Sequence, residues 1–345
     1  MSVDADTRLR VPRSLATVYH SPDIVEFRHG VWNATSHVVR DESGSNELAR
    51  VVRLLDGTRT TTEVALQSGV ARDAVEGVID HLLAQGLLQA SADSYIDHLV
   101  DLLGGARSTT ANQRDVRVVG GALALRIAAL LAETEPPLNV ETNPSPSARL
   151  DELARDDAWL ADGLEQSRAM QPFAPWAQSL VILADDLVDP HRSRALNRAA
   201  LAHGFPTLHV ALDGPFVLVG PLVVPGASAC WECFETRLVM NLRDSAVYVG
   251  YKKALARGNV DGALDPVPVV ASLAASLAVT DALSFVATDE AVTINQTWSI
   301  FLPTMEITSH DVLRVPGCAG CGASPERDEA DLYFDLRALS AKGTC

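Results

Sequence analysis

Cationic side chains are scarce in this sequence relative to anionic ones. The 345 residues include 28 lysines and arginines against 44 aspartates and glutamates, so the formal net charge is −16. A surface of that sign repels phosphate backbones and anionic lipid headgroups, which argues against nucleic acid or a membrane as the main partner. Repeats and low-complexity tracts are also lacking, and the composition, 47% hydrophobic and 21% charged, is that of a folded protein of two or three domains.

The sequence also has little that would direct a protein to or across a membrane. Residues 1–9 contain Asp4 and Asp6 and no apolar run behind a basic patch, so we expect no secretory signal. The longest apolar stretch, residues 267–286, is interrupted by Asp281 and several hydroxyl side chains, which favours a buried helix over a membrane span. The few cysteines fit a reducing compartment better than a secreted disulfide framework, so we expect a cytoplasmic protein.

Four of the five cysteines form two C-x-x-C pairs, Cys230 with Cys233 and Cys318 with Cys321. Two such pairs supply four soft thiolates, the set that closes a tetrahedral shell around zinc. Because the pairs lie far apart in the chain, the ion would tie the later segment to the rest and would have a structural role. Buried or redox-active cysteines are the alternative, although a redox motif needs only one pair. Cys345 is assigned no role.

The first ninety residues show extended segments followed by helical periodicity. Short runs rich in Val, Thr and aromatic residues predict a small antiparallel sheet over residues 15–40. Apolar residues at a spacing of three to four then predict three short helices, the second of which opens with a capping box formed by Thr60 and Glu63. A returning strand at residues 87–89 completes the order of a winged helix-turn-helix, which we assign to residues 10–92.

Strand and helix signals alternate in residues 93–345. A short apolar run leads into the Gly120-Gly121 turn and an Ala/Leu-rich helix, and four further short strands follow it. This alternation predicts an α/β domain with a Rossmann-like parallel sheet. Residues 151–178 show no clear pattern.

The Gly120-Gly121 turn lies where a dinucleotide-binding loop would, between a strand and a helix. Its sequence, G-G-A-L-A-L, departs from G-x-G-x-x-G, and Leu123 and Leu125 intrude where backbone amides would approach a phosphate. A packed strand-to-helix turn is the simpler interpretation, which argues against ATP binding by this chain. Glu141 lies where such folds place a ribose-binding acid, and a solvated position at the end of a strand is the alternative.

Two aspartates, Asp185 and Asp186, follow a buried strand. Ligands of α/β proteins bind at the carboxyl edge of the sheet, so this position permits a metal or acid role. The alternative interpretation is that they cap the next helix near Asp189.

A winged helix-turn-helix commonly binds DNA, but the charge of this one argues against nucleic acid. Between residues 41 and 93 four arginines stand against nine acidic residues, the wrong sign for a phosphate backbone. A short edge strand beside an apolar helix can instead accept an extended peptide by strand addition, with side-chain pockets that give specificity. We therefore favour a peptide as the ligand of this domain.

Several stretches of the sequence resemble one known family. Residues 48–88, with LARVVRLLDGT and HLLAQGLL, resemble the PqqD-type element that binds precursor leader peptides. Residues 220–237, GPLVVPGASACWECFETR, and residues 315–322, VPGCAGCG, resemble a zinc-bearing ThiF-type core. Together they resemble the ThiF-like partner proteins of YcaO-type cyclodehydratases, which make azoline-containing peptides, and the resemblance spans most of the chain.

The resemblance implies how such a protein would work. Its recognition domain would hold the leader peptide as an added strand against the third strand and third helix, near Val38, Val39, Val75, Ile79 and Leu82. Its ThiF-like domain would dock to a cyclodehydratase or another peptide-tailoring enzyme, which performs the ATP-dependent attack of Cys, Ser or Thr side chains on the preceding amide. This chain would raise the local substrate concentration without itself catalysing. ThiF-like cores commonly form two-fold dimers, so a homodimer is compatible with the resemblance.

Two other functions stay open. A peptide-adenylating enzyme of the microcin C type also joins a peptide clamp to a ThiF-like core, and Asp186 is the adenylation residue that this sequence would keep. The degenerate Gly120-Gly121 turn and the lack of a clear arginine pair after Glu141 argue against it. An acidic winged-helix regulator with a zinc-stapled domain would bind specific DNA, which the charge of its helices disfavours.

Overall fold

The computed structural model of the chain describes residues 7–30, 32, 35–90, 95–103, 114–134, 138, 140–142, 144–260 and 265–322. The chain divides into two compact units. The N-terminal unit comprises residues 1–111 together with residues 287–289, and the C-terminal unit comprises residues 112–286 and 290–345.

The N-terminal unit combines two small sheets with short helices. Its elements are, in chain order, β1 (Arg8–Arg10), β2 (Ala16–Ser21), β3 (Ile24–Arg28), β4 (Ser36–Arg40), α1 (Leu48–Val52), β5 (Asp56–Thr60), α2 (Thr61–Ser68), α3 (Arg72–Ala84), β6 (Gln89–Ala90) and α4 (Tyr95–Leu103). Strands β2, β3 and β4 form an antiparallel sheet with β3 in the centre, which confirms the sheet predicted over residues 15–40. Strands β5, β1 and β6 form a second antiparallel sheet, in which β6 overlaps the returning strand predicted at residues 87–89, whereas local sequence patterns do not predict β1 and β5.

Helix α2 begins and ends as its sequence predicts. The Thr60 hydroxyl accepts a hydrogen bond from the Glu63 N–H at 3.3 Å, and the Glu63 carboxylate accepts one from the Thr60 N–H at 2.8 Å, which confirms the capping box. This reciprocal pair satisfies backbone donors that a helix otherwise leaves free at its start. Gly69 ends the helix at a φ of 68°, the left-handed region that favours glycine.

Helix α3 buries one face in the core of the N-terminal unit. Val75, Ile79 and Leu82, spaced four and three residues apart, belong to one buried cluster with Val25 and Phe27 of β3. Full burial of each such side chain contributes about 1.5–3 kcal/mol of hydrophobic free energy. The apolar period read from the sequence therefore marks the inward face of α3.

The C-terminal unit is built on one large sheet. Its elements are β7 (Asp115–Gly120), α5 (Ala122–Ala132), β8 (Val140–Glu141), α6 (Pro144–Arg155), α7 (Gly163–Met170), β9 (Ser179–Asp185), α8 (Pro190–His203), β10 (Thr207–Asp213), β11 (Phe216–Val223), α9 (Trp231–Asn241), α10 (Ser245–Ala256), α11 (Pro268–Thr288), β12 (Gln296–Phe301) and β13 (Glu306–Asp311). The sheet has seven strands in the order β13-β12-β11-β10-β9-β7-β8, which confirms the mixed α/β class.

The pairing of the strands changes direction along this sheet. Strands β8, β7, β9 and β10 are parallel, whereas β11, β12 and β13 pair antiparallel. The sequence predicted a parallel sheet, and this prediction is wrong for β11, which pairs antiparallel with β10. Only Gly214 and Pro215 separate the paired residues Asp213 and Phe216, and a two-residue connection permits an antiparallel hairpin but no parallel crossover.

Residues 151–178 are largely helical. They include the end of α6, the whole of α7 and two short 3₁₀ segments, Ala158–Leu160 and Gln171–Trp176. Phe173 and Trp176 are buried in the same hydrophobic cluster as Leu183 of β9. Short helical segments that bury a few large side chains lack a sustained period, so the sequence alone did not indicate their structure.

Helix α11 is the one helix in the described part of the chain that is long and apolar enough to cross a membrane. Within its most apolar window 56% of the residues are buried in the protein. Asp281, near the middle of the helix, accepts a hydrogen bond from the Val292 N–H at 2.8 Å and one from the Thr293 hydroxyl. These contacts agree with the buried helix predicted for residues 267–286.

Candidate functional site

The fold brings the four predicted metal-ligating cysteines together. Cys230 directly precedes α9, Cys233 lies in the first turn of that helix, and Cys318 and Cys321 lie in the segment after β13. Their four Sγ atoms all lie within 4.8 Å of one another, although the two pairs are 88 residues apart in the chain. Cys345, which was assigned no role, lies outside the described residues.

The spacing of the sulfur atoms fits a tetrahedral metal shell. Cys230 Sγ lies 3.8 Å from Cys233 Sγ and 3.7 Å from Cys318 Sγ, and Cys233 Sγ lies 3.5 Å from Cys321 Sγ. A tetrahedron with metal–sulfur bonds of about 2.3 Å, the usual zinc–thiolate length, has edges of about 3.8 Å. The four side chains could therefore hold a metal ion, and protein ligands would fill all four positions.

The surroundings of the cysteines do not by themselves stabilise four negative charges. Burial raises the pKa of Cys230 above its ordinary value, and burial together with the Cys233 thiol raises the pKa of Cys321 to about 11. Burial also opposes ionisation of Cys233, but the Val315 N–H, 3.3 Å from its Sγ, and the neighbouring thiols hold its pKa below the ordinary value. A bound cation would supply the missing positive charge, and its binding would release protons.

A buried polar network, which the sequence patterns did not reveal, braces the two cysteine pairs. Glu232, inside the first pair, accepts hydrogen bonds from Arg198 at 2.5 and 2.8 Å and from Asn197 at 3.0 Å. The Asn197 side-chain oxygen accepts the Trp231 N–H at 3.0 Å. Gly320, inside the second pair, lies against this network, since a Cβ there would stand 2.8 Å from Glu232 Oε1. In the sequence, the one sign of this network was an acidic residue, Glu232, between two predicted metal ligands.

The Gly120-Gly121 turn joins β7 to α5 as predicted, and an aspartate fills the space in front of it. The two carboxylate oxygens of Asp186 accept the N–H groups of Ala122 and Leu123, each at 2.7 Å. A Cβ on Gly121 would stand 2.0 Å from Asp186 Oδ2, so only glycine lets the carboxylate come this close. The amides that would hold a phosphate in a nucleotide-binding loop are therefore paired with an anion of the chain itself.

The other two acidic candidates are paired with arginines. Asp185 is buried and forms an ion pair with Arg192 of α8, and burial raises the pKa of Asp185 to about 7 despite the guanidinium. Glu141, at the end of β8, forms an ion pair with Arg117 of β7. The cap of α8 is Asp189, whose carboxylate accepts two N–H groups of the first turn. Asp186 thus caps α5, which precedes it in the chain. The alternative interpretation, in which Asp185 and Asp186 cap the next helix, α8, is wrong.

A groove lies between β4 and α3 of the N-terminal unit. Its volume is about 440 Å³, and its lining residues are Val39, Arg40, Asp41, Ser43, Ser45, Glu47, Leu48, Val51, Val70, Ala74, Gly77, Val78 and His81. Strand β4 pairs with β3 alone among the described strands, so its second edge carries no strand. Ala74 and Gly77 contribute little side-chain volume, which leaves the α3 wall open to close approach by another backbone.

The predicted peptide-contacting residues are divided between the groove and the core. Val38 is 51% exposed, and Val39 lines the groove. Val75, Ile79 and Leu82 are at most 3% exposed and belong to the hydrophobic core. Four residues of α3 line the groove: Ala74, Val78 and His81 precede these three by one position, and Gly77 is the fourth. The predicted residues miss the groove because the apolar face that the sequence reveals is the face packed on the core.

Comparison with known proteins identifies the fold. No family model and no curated protein matches the sequence. Among solved structures, the heterocyclase TruD matches with a TM-score of 0.66 at 20% identity over 92% of this chain, and a heterocyclase in complex with substrate and cofactor matches with a TM-score of 0.67 at 16% identity over 94%. These matches cover 43% and 41% of the heterocyclase chains, so this chain spans about two fifths of their length.

A third similar structure is E. coli MccB with ATP. It matches with a TM-score of 0.51 at 14% identity, over 91% of this chain and 99% of that one. The chain therefore has the fold shared by the heterocyclases and MccB, which confirms the resemblance found in the sequence at the level of the fold.

Proposed function

We propose that this chain binds the leader region of a ribosomally made precursor peptide and presents it to a separate peptide-modifying enzyme, a cyclodehydratase of the YcaO type. The observation that carries this proposal is the groove between β4 and α3. In the proposal, residues 10–92 act as a winged helix-turn-helix peptide-recognition domain, and residues 93–345 form the ThiF-like domain that docks to the enzyme.

Strand addition is the binding mode that the groove favours. A leader segment in extended conformation would pair with the free edge of β4, where main-chain hydrogen bonds give affinity irrespective of sequence. The small residues Ala74 and Gly77 leave room on the α3 side, while Val78 and His81 offer side-chain contacts that distinguish one leader from another. The groove mixes charges, with Arg40 opposed by acidic residues, so it suits a peptide better than a polyanion.

Two observations support a presenting rather than an adenylating role. The Asp186 carboxylate occupies the amides of Ala122 and Leu123, so the phosphates of ATP would have to displace an anion that is bonded at two points. The matches cover only 43% and 41% of the heterocyclase chains. We propose that ATP chemistry belongs to the part of such proteins that this chain does not match.

We further propose that the metal at the four cysteines is zinc. Four thiolates at tetrahedral spacing match the preference of zinc for a closed structural shell. The ion would tie Cys318 and Cys321 to the start of α9, while Glu232, Arg198 and Asn197 hold that start in place. Because no ligand position stays open, the site would contribute stability to the C-terminal unit and no chemistry. A zinc–thiolate shell of this kind suits the reducing cytoplasm.

An ATP-dependent peptide-adenylating enzyme is the second candidate. It is favoured by the match to nearly the whole of MccB, whose structure was solved with ATP. It requires Asp186 to leave the helix N-terminus when nucleotide binds. ATP hydrolysis or ATP–pyrophosphate exchange by the purified chain with peptide would distinguish it from the presenting function.

The test is isothermal titration calorimetry of the purified full chain, with its metal content checked, against the precursor peptide encoded nearest its gene and separately against ATP. We expect binding of the leader region and no binding of ATP. Gly77→Leu would fill the groove, since a Cβ at Gly77 meets nothing within 4 Å, and it also raises helix propensity by about 0.8–1 kcal/mol, so folding is preserved.

The matched control is Asp80→Leu, which adds the same side chain to an exposed position of α3 outside the groove. Leader affinity should fall at least tenfold in Gly77→Leu, an effect of about 1.4 kcal/mol, and should be unchanged in Asp80→Leu. Equal affinities of the two variants would move the peptide site elsewhere, and ATP binding with turnover would establish the adenylating enzyme instead.

A further inference from the structure

A cleft of about 750 Å³ lies in the C-terminal unit between one face of the seven-stranded sheet and helices α9 and α10. Its walls are mostly apolar and include the rings of Phe216, Trp231 and Phe234. None of the cysteines, and neither Gly121 nor Asp186, lines it. Cavities of this size with apolar walls and a few polar groups are the usual form of small-ligand sites.

The floor of the cleft includes Gly220 of β11, and the floor around this residue is called the notch below. A Cβ on Gly220 would stand 2.8 Å from Gln296 O and from Thr293 Cβ, so the glycine marks a close approach of these atoms and not the empty place of a side chain. Val219 of β11 pairs with Trp298 of β12, and extending this register by one residue places Gly220 opposite Thr297. On the other side of β11 the register with β10 shifts between Leu208 and Val210, which brings His209 beside Gly220. The side chains of His209 and Thr297 therefore lie on the two strands that flank Gly220.

Both flanking side chains are buried and each has an unpaired polar atom. His209 and Thr297 are 5% and 2% exposed and both line the cleft. Within the described part of the chain, His209 Nδ1 and Thr297 Oγ1 have no hydrogen-bond partner. Buried polar atoms are nearly always paired in folded proteins, so two unpaired atoms on residues that line one cleft indicate that a further molecule completes the site.

The notch is uncharged. Burial lowers the pKa of His209 to about 3, so its ring is neutral, and its Nε2 lies 3.4 Å from Thr207 Oγ1. A neutral imidazole nitrogen and a hydroxyl can each donate or accept a hydrogen bond, as the tautomer and rotamer require. The guanidinium of Arg237 donates to two main-chain carbonyls, and three aspartates, Asp185, Asp213 and Asp311, also line the cleft. This balance disfavours a phosphate or carboxylate group in the cleft.

We propose that the cleft binds an uncharged aromatic or heteroaromatic ring, which lies over Gly220 and bonds through its polar edge to His209 Nδ1 and Thr297 Oγ1. Trp231 and Phe234 of α9 would supply the apolar contacts; the ring centroids of Trp231 and His209 are 6.1 Å apart. The ring could be free in solution or be carried by a peptide. The cleft lies in the C-terminal unit and the peptide groove in the N-terminal unit, so this inference does not depend on the proposed function.

The test uses the full, metal-loaded chain with three probes: adenine as a free heterocycle, N-acetyltyrosinamide as a peptide-borne ring, and inorganic pyrophosphate as an anion. Saturation-transfer NMR detects binding, and calorimetry gives the affinity. We expect at least one ring compound to bind and pyrophosphate not to compete with it. The ring compound that binds identifies the source of the ring. If neither binds, the notch holds water only and the proposal is overturned.

Two variants locate the binding. Thr297→Val keeps the side-chain volume but removes the hydroxyl, so affinity should fall about three- to tenfold, the effect of one net hydrogen bond. The melting temperature should not fall, because the lost hydroxyl had no partner. Ala211→Phe, on the same floor, should abolish binding by filling the cleft. Thr308→Val, a strand threonine outside the cleft, is the control. Unchanged affinity in both cleft variants would overturn the proposal.

Discussion

Replacing Asp186 by alanine should destabilise the C-terminal unit and at the same time create an anion site. The variant removes a carboxylate that accepts two hydrogen bonds, each 2.7 Å long, at the start of α5. Loss of a helix N-cap costs about 0.5–2 kcal/mol, and hydrogen bonds to a charged group lie at the upper end of such effects, so we expect a loss of about 2 kcal/mol. For a unit of this size that corresponds to a decrease in Tm of about 4–8 °C.

The second half of the prediction concerns phosphate. In Asp186→Ala the N–H groups of Ala122 and Leu123 lose their anion, while Gly121 keeps the approach to them open. Inorganic phosphate or ATP should therefore raise the Tm of the variant in a concentration-dependent way, as a ligand that binds only the folded state does. The wild-type chain, whose site is filled by Asp186, should show no such rise. Differential scanning calorimetry with and without phosphate measures both effects.

The matched control is Asp189→Ala, which removes the carboxylate cap of α8. The Asp189→Ala variant should have a Tm lowered to a similar extent. Its Tm should not respond to phosphate, because α8 begins at Pro190 and has no glycine turn that lets an anion approach its first N–H groups. If Asp186→Ala melts at the wild-type temperature, or if phosphate stabilises the wild-type chain as much as the variant, the reasoning about the glycine turn is refuted.

Three further predictions concern the cysteine cluster and the cleft. Cys318→Ser should reduce the bound zinc, measured by atomic absorption on purified protein, and equal zinc content in variant and parent would rule out the site. Gly320→Ala should lower stability by about 1–3 kcal/mol and weaken metal retention against a chelator, because the added Cβ would stand 2.8 Å from Glu232 Oε1. Unchanged stability and metal retention in this variant would refute the close packing of the second pair on Glu232. Folding lowers the pKa of His209 from 6.5 to about 3, so between pH 6.5 and pH 3 the unfolded chain carries a proton on this side chain that the folded chain does not. The stability of the folded state should therefore decrease as the pH falls through that window, by up to about 1.4 kcal/mol per pH unit. In His209→Phe this part of the pH dependence, measured by urea unfolding, should disappear.

Local signals in the sequence predicted local structure well. The Thr60 and Glu63 capping box, the helix at residues 122–132 and the buried strand predicted at residues 179–183 are all confirmed, although that strand extends to include Asp185. Each depends on residues within one or two turns or on a short buried run, so its physical cause is contained in a few neighbouring positions. Each C-x-x-C pair is likewise a local pattern. Because four thiolates complete one metal shell, the two pairs could be assigned to the same site from the sequence.

The sequence by itself determined the mixed α/β class, the identity of the four cysteines and the position of the glycine turn. The tertiary structure decided what each of them meets: Asp186 pairs with amides 63 and 64 residues earlier, and Glu232 meets Arg198 across 34 residues. It also decided which face of α3 is available, because a hydrophobic period marks the buried side and leaves the groove side, with its small residues, without a signal. Contacts between distant segments are set by how the elements pack, and no pattern within one segment contains that information.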